Sequence, residues 1–471
     1  MDESPVLKDD LFSSLPPEGE VENLFSMVQS AVGESYSKVV IVDDDPLGTQ
    51  TVYGLPVLTE WSVDSLTDEL KRDFRAFYIL TNSRSMPPIQ AAIINSEVGR
   101  NLAEASRLVG SSFSVISRCD STLRGHFPYE VEALANGLGC GFDAWIFIPF
   151  FLEGGRYTIN DVHYVEDDEM LVPVGMTEFA RDSAFGYHSS NLRKWIAEKT
   201  EGRIDSDSVC SVTIEDLRIG GVERIVKLLL QVPRGGICIV NAASMADLLV
   251  FTIGFLEAEK QGRKFLCRTA SSFVQARLGL KPRGCLSRDE LPLRSTGGGL
   301  IVVGSHVPRT TTQLRELLMF PGITAVELPV RDLFDKNSTA VVEKVVDQVN
   351  DGLAKECDTV VYTSREVLRG TNADESLAIS RRVSEALVEI VRSVYKEPRY
   401  LLVKGGVTAS DICVHGLNVR RAMVLGQIFP GVPVWQLSDE SRWRGLACVI
   451  FPGNVGGPKA LAEVVSKLSA G

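Results

Sequence analysis

The sequence predicts an α/β protein: two three-layer α/β domains, each built on a mainly parallel sheet. Three observations carry this. At 471 residues the chain exceeds the size to which one hydrophobic core usually grows. Short apolar runs alternate with amphipathic stretches along most of it, the pattern of strands covered on both faces by crossover helices. The alternation breaks once, at KPRGCLSRDELPLRSTGGG, where Pro, Gly and charge combine as in a linker, and then restarts.

Taken in order, residues 1–36 read as a flexible N-terminal arm with one short helix near Val21 to Val32. The first domain spans 37–280, with strands at Lys38 to Val42, Ala76 to Leu80, Phe113 to Ser117, Ala144 to Pro149 and Gly236 to Val240. Pro88 to Leu108 and Gly221 to Gln231 read as its helices. After a linker at 281–297, the second domain spans 298–471, with strands at Leu300 to Val303, Ile323 to Leu328, Thr359 to Thr363, Tyr400 to Val403 and Ala447 to Phe451.

Composition narrows the function. Hydrophobic content of 44% and charged content of 23% are those of an ordinary globular protein. A net charge of −12 argues against a nucleic-acid partner, since phosphate backbones are held by clustered Lys and Arg. The acidic start lacks the basic and apolar regions of a signal peptide, and the most apolar run, Ala144 to Leu152, is too short to span a bilayer. Nine cysteines without a CxxC pair fit reduced thiols and a cytoplasmic location.

In open α/β sheets ligands bind beyond the carboxyl ends of the strands, so polar motifs there are the candidate site. Asp43-Asp44-Asp45 follows the first strand, and three adjacent carboxylates repel unless they serve a ligand. One would accept a proton or hold Mg²⁺ while another bonds a hydroxyl; a solvated turn capping the next helix is the plainer alternative. Arg84 within Thr81 to Ser85 follows the second strand, and Asp120, Ser121 and Arg124 within Ser117 to His126 follow the third. Arg suits a carboxylate, and Ser, Thr and Asp suit hydroxyls, so the three loops together fit a hydroxy acid. Arg156 and His163 lie after the fourth strand, where a lone His is more often structural.

The second domain offers small turns at strand ends: Gly304-Ser305-His306, Lys404 to Asp411, and Gly453-Asn454-Val455-Gly456. Their glycines allow close backbone approach, and Lys404 would neutralise a phosphate oxygen. No GxxxxGK[ST] occurs, and no GxGxxG follows the first strand of either domain, which disfavours a dinucleotide-dependent oxidoreductase.

These motifs resemble those of the four-carbon acid sugar kinases, once a family of unknown function, from about Lys38 to the C-terminus. DDxxG (Asp44, Asp45, Gly48), SRS, DSTLRG (Asp120 to Gly125), the Gly155-Arg156 to His163 segment, Gly304-Ser305, GGxTA (Gly405 to Ala409) and Gly453 to Gly456 carry the likeness. It implies transfer of the ATP γ-phosphate to the terminal hydroxyl of threonate, erythronate or a 3-oxo-tetronate, with ATP and Mg²⁺ as cofactors and no metal ligand assigned. Asp44 and Asp45 become the catalytic candidates, with Arg84, Asp120, Ser121, Arg124, Arg156 and His163 about the acid. Arg84 and Arg124 would anchor its carboxylate. Ser305, Lys404, Gly405, Gly406, Val407, Thr408, Ala409, Gly453 and Asn454 become the nucleotide residues. A homodimer is the expected assembly.

The chain departs from the commoner family patterns. Pro46-Leu47 replaces Phe-Thr of DDFTGA and Thr49 its Ala; Val407 replaces an acidic residue, and Phe451 a lysine. It is closer to a subgroup reading DDDPTGTQTV and GGITSSD, with Asp411 as a substitute acid. The alternatives are a kinase for another hydroxy acid or aldonate, and a non-catalytic sensor of sugar acid and nucleotide.

Overall fold

The computed structural model describes residues 4–34, 37–335, 337–366, 368 and 373–469. The chain divides into two compact units, residues 1–52 with 60–282 and residues 53–59 with 283–471.

The first unit is built on a parallel sheet with lateral order Cys210–Val212, Gly236–Val240, Ala144–Ile148, Phe265–Thr269, Phe113–Arg118, Lys38–Asp43, Ala76–Leu80. Val40, Ile41, Phe77, Ile79, Ile146 and Leu266 are wholly buried, as continuous apolar runs covered on both faces require. Helix Pro88–Val109 begins on a proline that needs no N–H partner and ends where Gly110 turns left-handed (φ 71°). Helix Met245–Lys260 starts at a Ser244/Asp247 capping box and buries residues all round its circumference.

Two features of this unit differ from the sequence expectation. Within the segment expected as a flexible arm, helix Val21–Glu34 packs Phe25, Val28 and Val32 inward against helix Met245–Lys260. Val6–Leu7 adds a strand to the antiparallel sheet Arg156–Ile159, Val162–Asp167, Met170–Pro173. An apolar face on an amphipathic helix beside a helix buried all round its circumference explains the docking. Strand Phe265–Thr269 was not anticipated, because charge at Arg263, Lys264 and Arg268 interrupts its apolar pattern.

The second unit places Ile323–Leu328, Asp358–Thr363, Leu300–Val303, Leu401–Lys404 and Ala447–Phe451 in parallel. Val432–Leu437, Arg421–Phe429 and Leu55–Leu58 then continue it antiparallel. The expected linker is folded into this unit: Leu286 and Leu291 are buried in its core with Ile301, Val303 and Leu402. Leu55–Leu58, which sequence reading places in the first domain, is an edge strand of the second unit.

Candidate functional site

In the first unit the strand ends collect a buried network of charges. Arg84 sits in a short 3-10 turn, Ser83–Ser85, entered through a left-handed Asn82 (φ 53°). Its Nη2 lies 2.9 Å from both Asp44 Oδ1 and Asp45 Oδ2, and its Nη1 lies 3.9 Å from Asp120 Oδ1. Arg118, the last residue of its strand, reaches Asp43 Oδ1 at 3.2 Å and donates to Ser271 Oγ. Arg124 Nε pairs with Asp120 Oδ2 at 2.6 Å, and Asp120 also accepts from Thr122. Gly48 is required by this packing, because a Cβ there would fall 1.7 Å from Asp43 Oδ2.

The electrostatics separate the carboxylates. Burial pushes Asp43 up to about 7 against the pull of Arg118, and Asp44 up to about 6 against that of Arg84. Burial would raise Asp120 as well, but Arg84 and Arg124 overcome it and hold this carboxyl well below its usual range. So one carboxylate of the cluster stays ionised while two neighbours are poised to exchange a proton near neutral pH, the separation expected of groups with different acid–base tasks.

Arg84, expected to anchor a substrate carboxylate, is occupied by aspartates. Arg156 is not. It donates to the Gly154 carbonyl, its buried Nε has no hydrogen-bond partner among the described residues, and its guanidinium lies 5.6 Å from the Phe179 ring. Arg124 lies 5.1 Å from the same ring, so one aromatic face orients two guanidinium groups. Ser121 and His163 meet through the backbone: His163 Nε2 is 2.7 Å from the Ser121 carbonyl, and Nδ1 is 2.9 Å from Thr158 Oγ1. Burial depresses the His163 pKa to about 4, so the ring bridges this loop as a neutral imidazole.

Arg118, Glu130, Phe179 and Arg268 belong to the network or border it but were not singled out from sequence. The available signal was a charge at the end of an apolar strand, as in FSVISR and FLCRT. Such a charge is buried and must be paired.

In the second unit the strand ends collect backbone rather than charge. Gly405 adopts φ 123°, and a Cβ there would lie 3.3 Å from Ser305 Cβ and Thr408 Oγ1. A Cβ on Gly304 would meet Thr408 Oγ1 at 2.3 Å, and one on Gly453 would meet Ser305 Oγ at 3.0 Å. Thr310 Oγ1 donates to the Gly453 carbonyl at 3.0 Å, and Arg309 Nη1 to Asn454 at 2.7 Å. Ser305, Gly405, Thr408, Gly453 and Asn454 are thus brought together around glycine backbone, which suits a phosphate chain. Gly406 opens helix Gly406–Asp411, Val407 projects outward at 51% exposure, and Ala409 is buried beneath the turn.

Lys404 differs from expectation. Its ammonium is buried, donates to the carbonyls of Pro452 and Gly453, and lies 4.0 Å from the Phe451 ring centre. Burial, with Arg309 nearby, lowers its pKa to about 7. It braces the Gly453 turn instead of pointing outward. Asp411, the substitute acid, accepts from Ser384. Arg365, unforeseen from sequence, donates to the Ser305 carbonyl at 2.9 Å and fixes the other side of the cradle.

The fold and these two strand-end clusters define a two-domain α/β protein with a buried charge network in one unit and clustered glycine turns in the other. Residues 39–277 match the family model of a sugar-binding N-terminal domain, and residues 300–461 that of a nucleotide-binding C-terminal domain. The chain belongs to the four-carbon acid sugar kinase family, to which these paired domains correspond. It is 26% identical over 374 residues to a 3-oxo-tetronate kinase of Pseudomonas fluorescens, covering 76% of this chain and 79% of that protein. It is 24% identical over 422 residues to a D-erythronate kinase of Heliobacterium modesticaldum, covering 82% and 88%. A Haemophilus influenzae protein of known crystal structure shares the fold with a TM-score of 0.61 at 18% identity, over 91% of this chain and 99% of that one. No described helix is long and apolar enough to cross a membrane.

Proposed function

We propose that the protein is an ATP-dependent, cytoplasmic kinase that phosphorylates the terminal hydroxyl of a four-carbon sugar acid of the threonate, erythronate or 3-oxo-tetronate type. The observation that carries this reading is the pairing of a buried, high-pKa Asp44 with guanidinium groups at one sheet edge of the sugar-binding unit. Nine free cysteines support the reducing compartment.

Arg156, with Arg124 beside it on Phe179, binds the substrate carboxylate, and Asp120 and Ser121 take hydroxyls. Arg84 holds Asp44 and Asp45 in register. Asp44 accepts the proton as the substrate O–H bond breaks; an O–P bond forms to the γ-phosphorus and the P–O bond to ADP breaks. Asp45 orients the hydroxyl. Gly304, Gly405 and Gly453 leave room for the Ser305 and Thr408 side chains packed against them, which sets three turns of backbone side by side to receive a phosphate chain. When bound with ATP, Mg²⁺ neutralises phosphate charge.

Asp44→Asn should lower turnover by about 10²- to 10⁴-fold while the KM for ATP stays unchanged. ADP release measured across four- to six-carbon acids checks it. Wild-type turnover in that variant removes Asp44 from the mechanism, and turnover only with longer acids removes the four-carbon assignment.

A further inference from the structure

On the side of Asp44 away from Arg84, three buried side chains converge on one glycine. Gly125 adopts φ 123°, and a Cβ there would lie 3.3 Å from Asp44 Oδ2 and 3.4 Å from both Glu130 Oε1 and Arg268 Nη2. Asp44, Cys119 and Glu130 each offer an atom within 4.8 Å of the others. Asp44 Oδ2 and Glu130 Oε2 are buried without a hydrogen-bond partner among the described residues. Glu130 Oε1 accepts from Cys119 Sγ at 3.3 Å and lies 3.8 Å from Arg268 Nη2. Arg268 is itself fixed against the rings of Phe127, Phe147 and Trp195, at 5.3, 5.1 and 5.5 Å.

Two buried carboxylates this close repel unless something lies between them, and each orphaned oxygen carries a desolvation cost. A metal ion would have to enter beside Arg84, Arg118 and Arg268, which already face the pair. A proton needs no such space: carried by one carboxyl, it is donated to the other and relieves their repulsion.

We propose that Glu130 is a positioning residue for Asp44, sharing one proton with it across the Gly125 turn. This rests on the reading of Asp44 as the proton acceptor. Before transfer the pair holds one proton between them, which fixes the orientation of Asp44 and leaves it able to accept a second. When the substrate O–H bond breaks, its proton goes to Asp44, so the pair passes from one proton to two. It returns to one when Asp44 releases a proton to water after the product leaves. The groups that face the pair are Arg84, Arg118, Asp43 and Asp45 about Asp44, and Cys119 and Arg268 about Glu130. Burial raises Asp44, and among its neighbours Glu130 adds to the rise while Arg84 and Arg118 oppose it.

The test uses the full chain with ATP and a four-carbon acid. Glu130→Ala should lower kcat by about 10- to 100-fold with the KM for ATP unchanged. Glu130→Gln, whose amide donates permanently where the protonated acid did, should restore kcat to within about fivefold of wild type. Its pH–rate profile should lose the alkaline limb that reports loss of the shared proton. Equal impairment of both variants, or a Glu130→Gln profile that superimposes on wild type, overturns the proposal. Infrared spectra of the wild-type protein at neutral pH supply a measurement independent of folding in the Glu130 variants. They should contain a protonated-carboxyl band that loses amplitude in Asp44→Asn, and an absent or unaltered band overturns the proposal. A band that behaves as expected while Asp44→Asn keeps full turnover retains the shared proton and sinks the base assignment instead.

Discussion

At the ends of Lys38–Asp43, Ala76–Leu80 and Phe113–Arg118 the first unit gathers charged side chains, whereas at Leu300–Val303, Leu401–Lys404 and Ala447–Phe451 the second gathers glycines and carbonyls. Both are parallel-sheet edges, yet their one shared kind of group, a buried cation, is used in opposite ways. Arg84 in the first unit is surrounded by carboxylates, which raise its pKa despite burial. Lys404 in the second faces carbonyls and a ring, and burial, with Arg309 nearby, lowers its pKa. A polyol acid has few charges and must be oriented atom by atom, which takes rigid, mutually paired side chains. A phosphate chain brings its own charge and can be held by backbone N–H groups where the chain approaches closely. The two sites should therefore fail by different substitutions.

The largest expected effect comes from Gly48→Ala, whose Cβ displaces the Asp43 carboxylate. Turnover should fall by about 10²-fold or more, since misplacement by an ångström costs that much, while ATP titration of the same variant stays normal. Gly405→Ala should reverse the pattern. Forcing a side chain to φ 123° costs about 1–3 kcal/mol, read as a KM for ATP raised about tenfold with the acid KM unchanged. Arg156→Lys should raise the acid KM about tenfold with kcat nearly kept, because a point charge replaces a planar fork. If either glycine variant affects both substrates alike, the division of labour drawn here is wrong.

The smallest effects are in stability against pH, and their signs oppose. Asp43 has a raised pKa in the folded state, so its contribution to stability is full below pH 3.8 and is lost as pH rises through about 7. Lys404 has a lowered pKa, so its contribution is present above pH 10.5 and is lost as pH falls towards about 7. Hydrogen exchange resolved by peptide should show Asp43→Asn flattening the first dependence in the sugar-binding unit. Lys404→Met should flatten the second in the nucleotide-binding unit. A shared pH response in the two variants would count against separate burial of these charges.

Most strands were legible because parallel strands buried on both faces leave unbroken apolar runs, and FYIL and LIVV read directly. What was not legible depends on partners distant in sequence. The antiparallel strands Arg421–Phe429 and Val432–Leu437 escaped because the first alternates in burial and belongs to no strand–helix repeat. Within the sites, motif residues such as Asp44, Arg84 and Asp120 were found by position at strand ends. Their pairings were not, so Arg84 looked like a substrate anchor and Lys404 like a phosphate ligand. Which charge is satisfied by protein and which is left for a ligand is a property of three-dimensional neighbours, as Arg156 shows.

The edge strand Leu55–Leu58 has a consequence for how the protein is made. It leaves the ribosome early, but its hydrogen-bonding partner Arg421–Phe429 is among the last segments synthesised. During translation the nascent chain carries this apolar strand before that partner exists, which leaves one side of it exposed to adventitious pairing. Cutting the gene at the boundary between residues 282 and 283 would separate the partners permanently, leaving Arg421–Phe429 as an open edge in the released fragment. Neither unit is a contiguous message, and their genes could not be exchanged as simple cassettes.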